Sequence, residues 1–488
     1  MENYNGNKGC DQYFKIKTIL SLNKQYVMQT LKKSKIGLIT AILAFLLIAC
    51  DEGVNTYKLD VPDFTIAQIA EASANLNILV AALEKSELMA TLEGEGMYTL
   101  FAPTDDSFAR YLAVNDYASL DDIPLEILKQ ILLNHMVIGE NLSTDLSTGY
   151  KNSLSTSGYN NRNISLYIDN SVGVQINGTA KVIDGGADFR GTNGVVHIID
   201  AVIDLPNIYD QVTANNDLTS FTSALNNNNN TIFSNFLSRQ DLNFTLFAPL
   251  NSAFSSFTNP DDNNLNGVWA NHIIVNTTFF SDDLQNSYVK TAANNEGKDL
   301  LSMYINTTGE SVTINGESKV VQYDIIGTNG VIHLVDLILD LPKTLDFIKA
   351  DQENFSMLLD SFTSEGQQDL LTILSSTSGN SPSPFTVFAP SNEAFESLQT
   401  IPSGNELNLV LQHHIIPNYN IVTGDITNNQ TSQATLEGDT LYFTLENGDI
   451  SITDGSGNSN SKLILDNIQA INGVIHAIDN VLIPNTMN

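Results

Sequence analysis

Basic residues are scarce in this chain of 488 residues: 22 Lys and Arg stand against 55 Asp and Glu, a formal net charge of −33. Seven of the basic and two of the acidic residues precede Cys50, so the remainder carries 15 − 53 = −38. A surface of that sign repels polynucleotides and anionic bilayers, which excludes nucleic acid as a partner. Cysteine is nearly absent, with only Cys10 and Cys50, so no disulfide framework is available and stability must come from packed cores. A hydrophobic content of 42% is enough to build them. Tryptophan occurs once, as Trp269 inside an apolar stretch, which leaves little aromatic surface for stacking on sugars. Also missing are a G-x-S-x-G elbow, an H-E-x-x-H pair, a Walker loop and a G-x-G-x-x-G fingerprint. Without a nucleophile–base set the sequence points away from an enzyme, and no cofactor is expected.

The run Ile36–Ile48 follows Lys32, Lys33 and Lys35. It falls short of the roughly 20 residues of a comfortable membrane span and has the length of a signal-peptide core. Leu47-Ile48-Ala49-Cys50 resembles the lipobox of bacterial lipoproteins, whose cysteine is lipidated and becomes the mature N-terminus. Residues 1–49 then read as leader, with Met28 as the working start, and residues 50–61 as a tether. Asp51-Glu52 resembles the acidic signals with which some Gram-negative bacteria send lipoproteins to the cell surface. The expected location is the outer membrane, facing outward.

Length alone suggests about three domains, and internal repetition supports that division. A first landmark recurs as TLFAPTDDSF (99–108), TLFAPLNSAF (245–254) and TVFAPSNEAF (386–395). A second follows as LLNHMVIG (132–139), WANHIIVN (269–276) and LQHHIIPN (411–418). The third reads GTNGVVHIIDAVIDLP (191–206), GTNGVIHLVDLILDLP (327–342) and INGVIHAIDNVLIP (471–484). From second-landmark to third-landmark histidine the spacing is 62, 61 and 62 residues. Units of this size are globular domains, with expected limits 62–206, 207–342 and 343–488. The absence of linker-like sequence between them predicts a stiff string.

Each unit reads as α+β. Ile66, Ile69, Ala70, Leu76, Leu79, Val80 and Leu83 have helical spacing, and Leu125–Met136 forms another helix. Thr99-Leu100-Phe101 is a short strand, and Asp105, Asn251 and Asn392 are expected helix N-caps. ISLYID, SVTING and LYFTLE read as strands. The third landmark reads as half a hairpin. Its Asn-Gly is expected to supply the positive φ of a tight turn. Period-two alternation places Val331, His333, Val335 and Leu337 on one face and Asp336 on the other, so H-x-x-D cannot act as a dyad or chelate.

Phe-Ala-Pro followed by Asx and Phe, a central Asn-His or His-His, and Gly-Val-x-His near the end together resemble the fasciclin domain family, three times over residues 60–485. The resemblance implies tandem wedges, each a small twisted β-sandwich with a helical cluster on one side. It also implies an extracellular or envelope-anchored role in adhesion to cells, matrix or polysaccharide. Animal members associate a Tyr-His pair in the central landmark with receptor-dependent adhesion. The matching positions are Asn134-His135, Asn271-His272 and His413-His414, and all three lack the tyrosine.

All seven histidines fall at landmarks: His135, His272, His413 and His414 centrally, and His197, His333 and His476 near the ends. Apolar neighbours and the lack of a recurring third ligand favour half-buried rings bridging backbone groups over a metal site. His272 and His333 are expected to hydrogen-bond each other. Asp454-x-Ser456-x-Asn458-x-Asn460 lacks the glycine and glutamate of a calcium loop and reads as turn chemistry, and Asn226–Asn230 as a polar loop insertion. The function expected is a non-enzymatic, lipid-anchored adhesion protein, its partners cell-surface or matrix macromolecules or polysaccharide. Glycan capture for a polysaccharide-uptake system is the alternative.

Overall fold

The structure, a computed structural model, describes residues 64–156, 161–226, 231–259 and 261–487. The leader, Cys50, the tether and residues 227–230 of the asparagine run lie outside the described residues. Three mixed sheets succeed one another along the chain, each formed within one repeat and each carrying helices. In the second, the spatial order runs Ile273–Val275, Phe244–Pro249, Gly330–Val335, Ser318–Gly327, Thr313–Ile314, Leu300–Asn306 and Ser287–Asn294.

Every sheet is organised by one pair of strands. The leading strand (Tyr98–Pro103, Phe244–Pro249, Phe385–Pro390) comes from the first landmark. The closing strand (Gly194–Ile199, Gly330–Val335, Gly473–Ile478) comes from the third. They pair in parallel, in a register that sets Phe101 beside His197, Phe247 beside His333 and Phe388 beside His476. Side chains alternate across these strands as period two requires. Leu246, Ala248, Ile332 and Leu334 join the helix-side core with Phe221 and Trp269, whereas Phe247 and Val335 join a smaller core with Met303, Ile305 and Ile314. Burying each Phe or Leu contributes on the order of 2 kcal/mol, so each domain stands on two apolar layers. Leu337 lies beyond the strand, whose alternation ends at Val335.

The first glycine of the closing strand permits this pairing. A Cβ on Gly194, Gly330 or Gly473 would lie 1.9, 2.2 or 2.3 Å from the carbonyl oxygen of Tyr98, Phe244 or Phe385 on the leading strand. No side chain fits between two central backbones at that distance.

The asparagine before that glycine does different work from the one expected of it. Positive φ at both residues of an Asn-Gly turn occurs at Asn177-Gly178, Asn315-Gly316 and Asn447-Gly448, as tight hairpins demand. Asn193, Asn329 and Asn472 do not adopt it and are buried instead. Their Oδ1 accepts from the amides of Ile66, Ile208 and Thr344, which open the first helix of each domain. Their Nδ2 donates to two carbonyls of a helix end: Leu92 and Gly94, Leu237 and Arg239, Leu374 and Ser376. One side chain thus ties the last turn of the domain to its first helix. Asn329→Ala would strand three backbone groups, two of them buried, and a loss of about 2 kcal/mol is expected in urea unfolding of the second domain; an unchanged midpoint would reject the latch.

The Asx residues of the first landmark also depart from expectation. Thr104, Leu250 and Ser391 occupy the N-cap positions, and Asp105, Asn251 and Asn392 sit one residue inside their helices. From there they cap a different helix. Asp105 accepts from the Ile78 amide, Asn251 from Ser220 and Asn392 from Met357, the last just past a kink at Phe355. The expected N-terminal helix is likewise two helices, Ile66–Ala72 and Asn77–Lys85. SVTING contributes only Thr313–Ile314 as strand before its turn.

The domains meet without spacer. Asn207 caps the first helix of the second domain directly after Pro206. Equivalent contacts recur at both seams: the Ile326 amide donates to Ser165 Oγ, and the Gln469 amide to Ser302 Oγ. A tyrosine pair lies at each, Tyr150–Tyr167 and Tyr288–Tyr304, with ring centroids 5.1 and 4.8 Å apart. Tyr150 receives a hydrogen bond from Asn215, and both hydroxyls of the second pair donate to the buried Asp351 carboxylate.

Candidate functional site

The central histidines follow the last turn of a short helix: Leu125–Asn134, Leu265–Ala270 and Gly404–His413. Nδ1 of His135, His272 and His414 donates to the carbonyl four residues back, that of Ile131, Val268 or Val410. Nε2 accepts from the amide of Ile203, Leu339 or Leu482, in the segment leading to the closing proline. A ring donating at one nitrogen and accepting at the other is a neutral imidazole of fixed tautomer. Burial agrees, pushing His135 and His272 down to about 4 and His414 to about 3.

The closing-strand histidines use the opposite tautomer. Nε2 of His197, His333 and His476 donates to the carbonyl of Asn141, Phe279 and Ile421. The amide of that same residue donates to the hydroxyl of Thr99, Thr245 or Thr386 on the leading strand. One loop residue per domain is therefore clamped at both its peptide groups. Nδ1 faces the amide of Asp188, Asp324 or Asn467 at 3.3, 3.4 and 3.4 Å, each a left-handed residue within or, for Asp188, just ahead of the strand before the turn. Burial lowers the pKa of all three rings.

All seven histidines are 0–1% exposed, so they are buried rather than half-buried. His272 and His333 do not hydrogen-bond each other, because their rings lie in different cores. His272 packs with Phe221 and Trp269, and His333 with Phe247 and Tyr323. Asn134 and Asn271 are buried as well, donating to the carbonyls of Asp204 and Asp340. Asp454 accepts from the Asn458 amide and side chain and from the Ile483 amide, so it closes a turn and ties it to the end of the domain. The clamping role of the threonines and the latching role of the turn asparagines escaped the sequence reading, although each recurs at one register in all three copies. Trp269 is 5% exposed, caged by Phe221, Phe254 and Phe257.

Three sheets of like register, each closed by a histidine strand, meet three matches to the Fasciclin domain at residues 74–206, 216–342 and 353–484. The chain belongs to the Fasciclin domain family. It is 29% identical to human periostin over 415 residues, 82% of this chain and 45% of periostin. It is 28% identical to transforming growth factor-beta-induced protein ig-h3 of Sus scrofa over 434 residues, 86% of this chain and 57% of that protein. The chain thus spans about half the length of these relatives. A solved FAS1 domain pair from the insect cell adhesion molecule fasciclin I aligns over 55% of this chain and 94% of its own, at a TM-score of 0.34 and 19% identity. Among the described residues no helix is long and apolar enough to cross a membrane.

Proposed function

We propose that this Fasciclin domain protein is an adhesion protein of the bacterial cell envelope, held by a lipid on Cys50 and displaying domains 62–206, 207–342 and 343–488 outward. Its partners are cell-surface or matrix macromolecules, including polysaccharide. The observation that carries this reading is the repeated seam between domains. It sets three similar surfaces in one register, which favours multivalent partners through avidity. Asn134, His135, Asn271, His272, His413, His414, His197, His333 and His476 serve the fold, and recognition belongs to exposed residues around them. Glycan capture asks for clustered exposed aromatic rings; the single tryptophan is buried, and among the described residues the exposed rings Phe64, Phe189, Tyr419 and Tyr442 are divided between the first and third domains.

Protease shaving of intact cells, followed by solid-phase binding of the three-domain fragment to cells, matrix and glycans, tests both halves. Release of the fragment, with binding that weakens by at least tenfold for a single domain, is expected. Protection from protease in intact cells would reject the outward-facing adhesin.

A further inference from the structure

His413 departs from the pattern of its six counterparts. It stands where the first two domains carry Asn134 and Asn271, and its ring faces acidic side chains instead of a backbone carbonyl. Nε2 accepts from the Gly455 amide at 3.1 Å. Nδ1 is fully buried, has no hydrogen-bond partner, and lies 3.4 Å from Glu437 Oε2. Asp439 completes a cluster in which one ligand atom from each of the three residues lies within 4.8 Å of the others.

The carboxylates are already oriented. Glu437 accepts from the Asp439 amide and the Thr486 hydroxyl, and Asp439 accepts from the Asn485 amide. The Glu437 side chain is 3% exposed, and Asp439 is half-exposed, which leaves an approach from solvent. Among the described residues no lysine or arginine forms an ion pair with Glu437, Asp439 or the nearby Asp454. Two carboxylates and an unsatisfied imidazole nitrogen converging without a cationic side chain form the arrangement a divalent ion completes.

We propose that His413, Glu437 and Asp439 bind one divalent transition cation of Zn²⁺ type in the third domain. An imidazole among carboxylates favours such a borderline ion over Ca²⁺, which takes oxygen ligands alone. Binding at Nδ1 moves the ring proton to Nε2, and the half-buried Gly455 amide turns from the ring to water; no proton is gained or lost. Ligand atoms up to 4.8 Å apart must draw together to the ~2.0–2.2 Å bonds of zinc, a side-chain adjustment open to Asp439 at the surface.

The test is isothermal titration of Zn²⁺ alone, and then Ca²⁺ alone, into the full chain and its H413N, E437Q and D439N variants. H413N installs the residue that the other two domains carry, and far-UV circular dichroism checks that it folds. About one equivalent of Zn²⁺ should bind the wild-type chain. Affinity should fall by more than about 100-fold in H413N, beyond the loss caused by a merely supporting group. Co²⁺ should give visible absorption bands in the wild type that H413N lacks. Equal Zn²⁺ binding by H413N, several weak equivalents in both chains, or Ca²⁺ binding as tight as Zn²⁺ would each overturn the site.

Discussion

Gly330→Ala is expected to unfold the second domain. The new methyl would lie 2.2 Å from the Phe244 carbonyl oxygen and 3.0 Å from that residue's carbonyl carbon and amide nitrogen. Neither strand can retreat, because Gly330 is paired with Phe244 on one side and with Gly327 on the other. Overpacking against a side chain costs about 1–3 kcal/mol, and against central backbone the cost should exceed about 4 kcal/mol. That is a large part of a domain's whole stability. Limited proteolysis should show cleavage confined at first to the second domain. Gly424→Ala is the control: it lies in open space without a positive φ and should be neutral within about 0.5 kcal/mol. If Gly330→Ala melts within about 2 °C of the wild type, the close approach is wrong.

Mild acid is the second large effect, and it should reach every domain. His135 and His272 are held neutral in the fold with pKa values of about 4, and His414 with about 3. In the unfolded chain each titrates near 6.5. Between those limits the unfolded chain binds protons that the fold refuses. These groups therefore contribute full stability above about pH 6.5 and lose it as pH falls toward 4. A shift of this size is worth about 3 kcal/mol for each of His135 and His272, and somewhat more for His414. The closing-strand histidines act in the same direction. Asp204, Asp210 and Asp340, whose carboxyls burial raises, oppose the trend weakly because they are exposed or half-exposed. Urea unfolding between pH 7.5 and pH 4.5 should show midpoints falling steeply below pH 6, with net proton uptake on unfolding. A flat profile would mean that the rings are not neutral and buried.

His333 shows how far linear reasoning reaches. Its place on one face of a strand, away from Asp336, follows from alternation, which is local geometry. That its ring reaches Phe279 O while Thr245 holds the Phe279 amide depends on a parallel pairing between strands more than 80 residues apart. Asp105, Asn251 and Asn392 teach the same lesson. The sequence marks them as cap-forming residues, and only packing decides that the helix they cap is a neighbour's.

What the sequence determined by itself was the threefold repeat, the strand and helix identities near each landmark and the lack of spacer between domains. Each of these is written in periodicity, turn chemistry or spacing, which act over a few residues or repeat in register. The tertiary structure alone decided which amides Asn193, Asn329 and Asn472 satisfy, that His272 and His333 lie in separate cores, and that His413 turns toward Glu437 and Asp439. Those outcomes depend on sheet register and on which buried donors lack a partner, and both arise only when distant segments are pressed together without water.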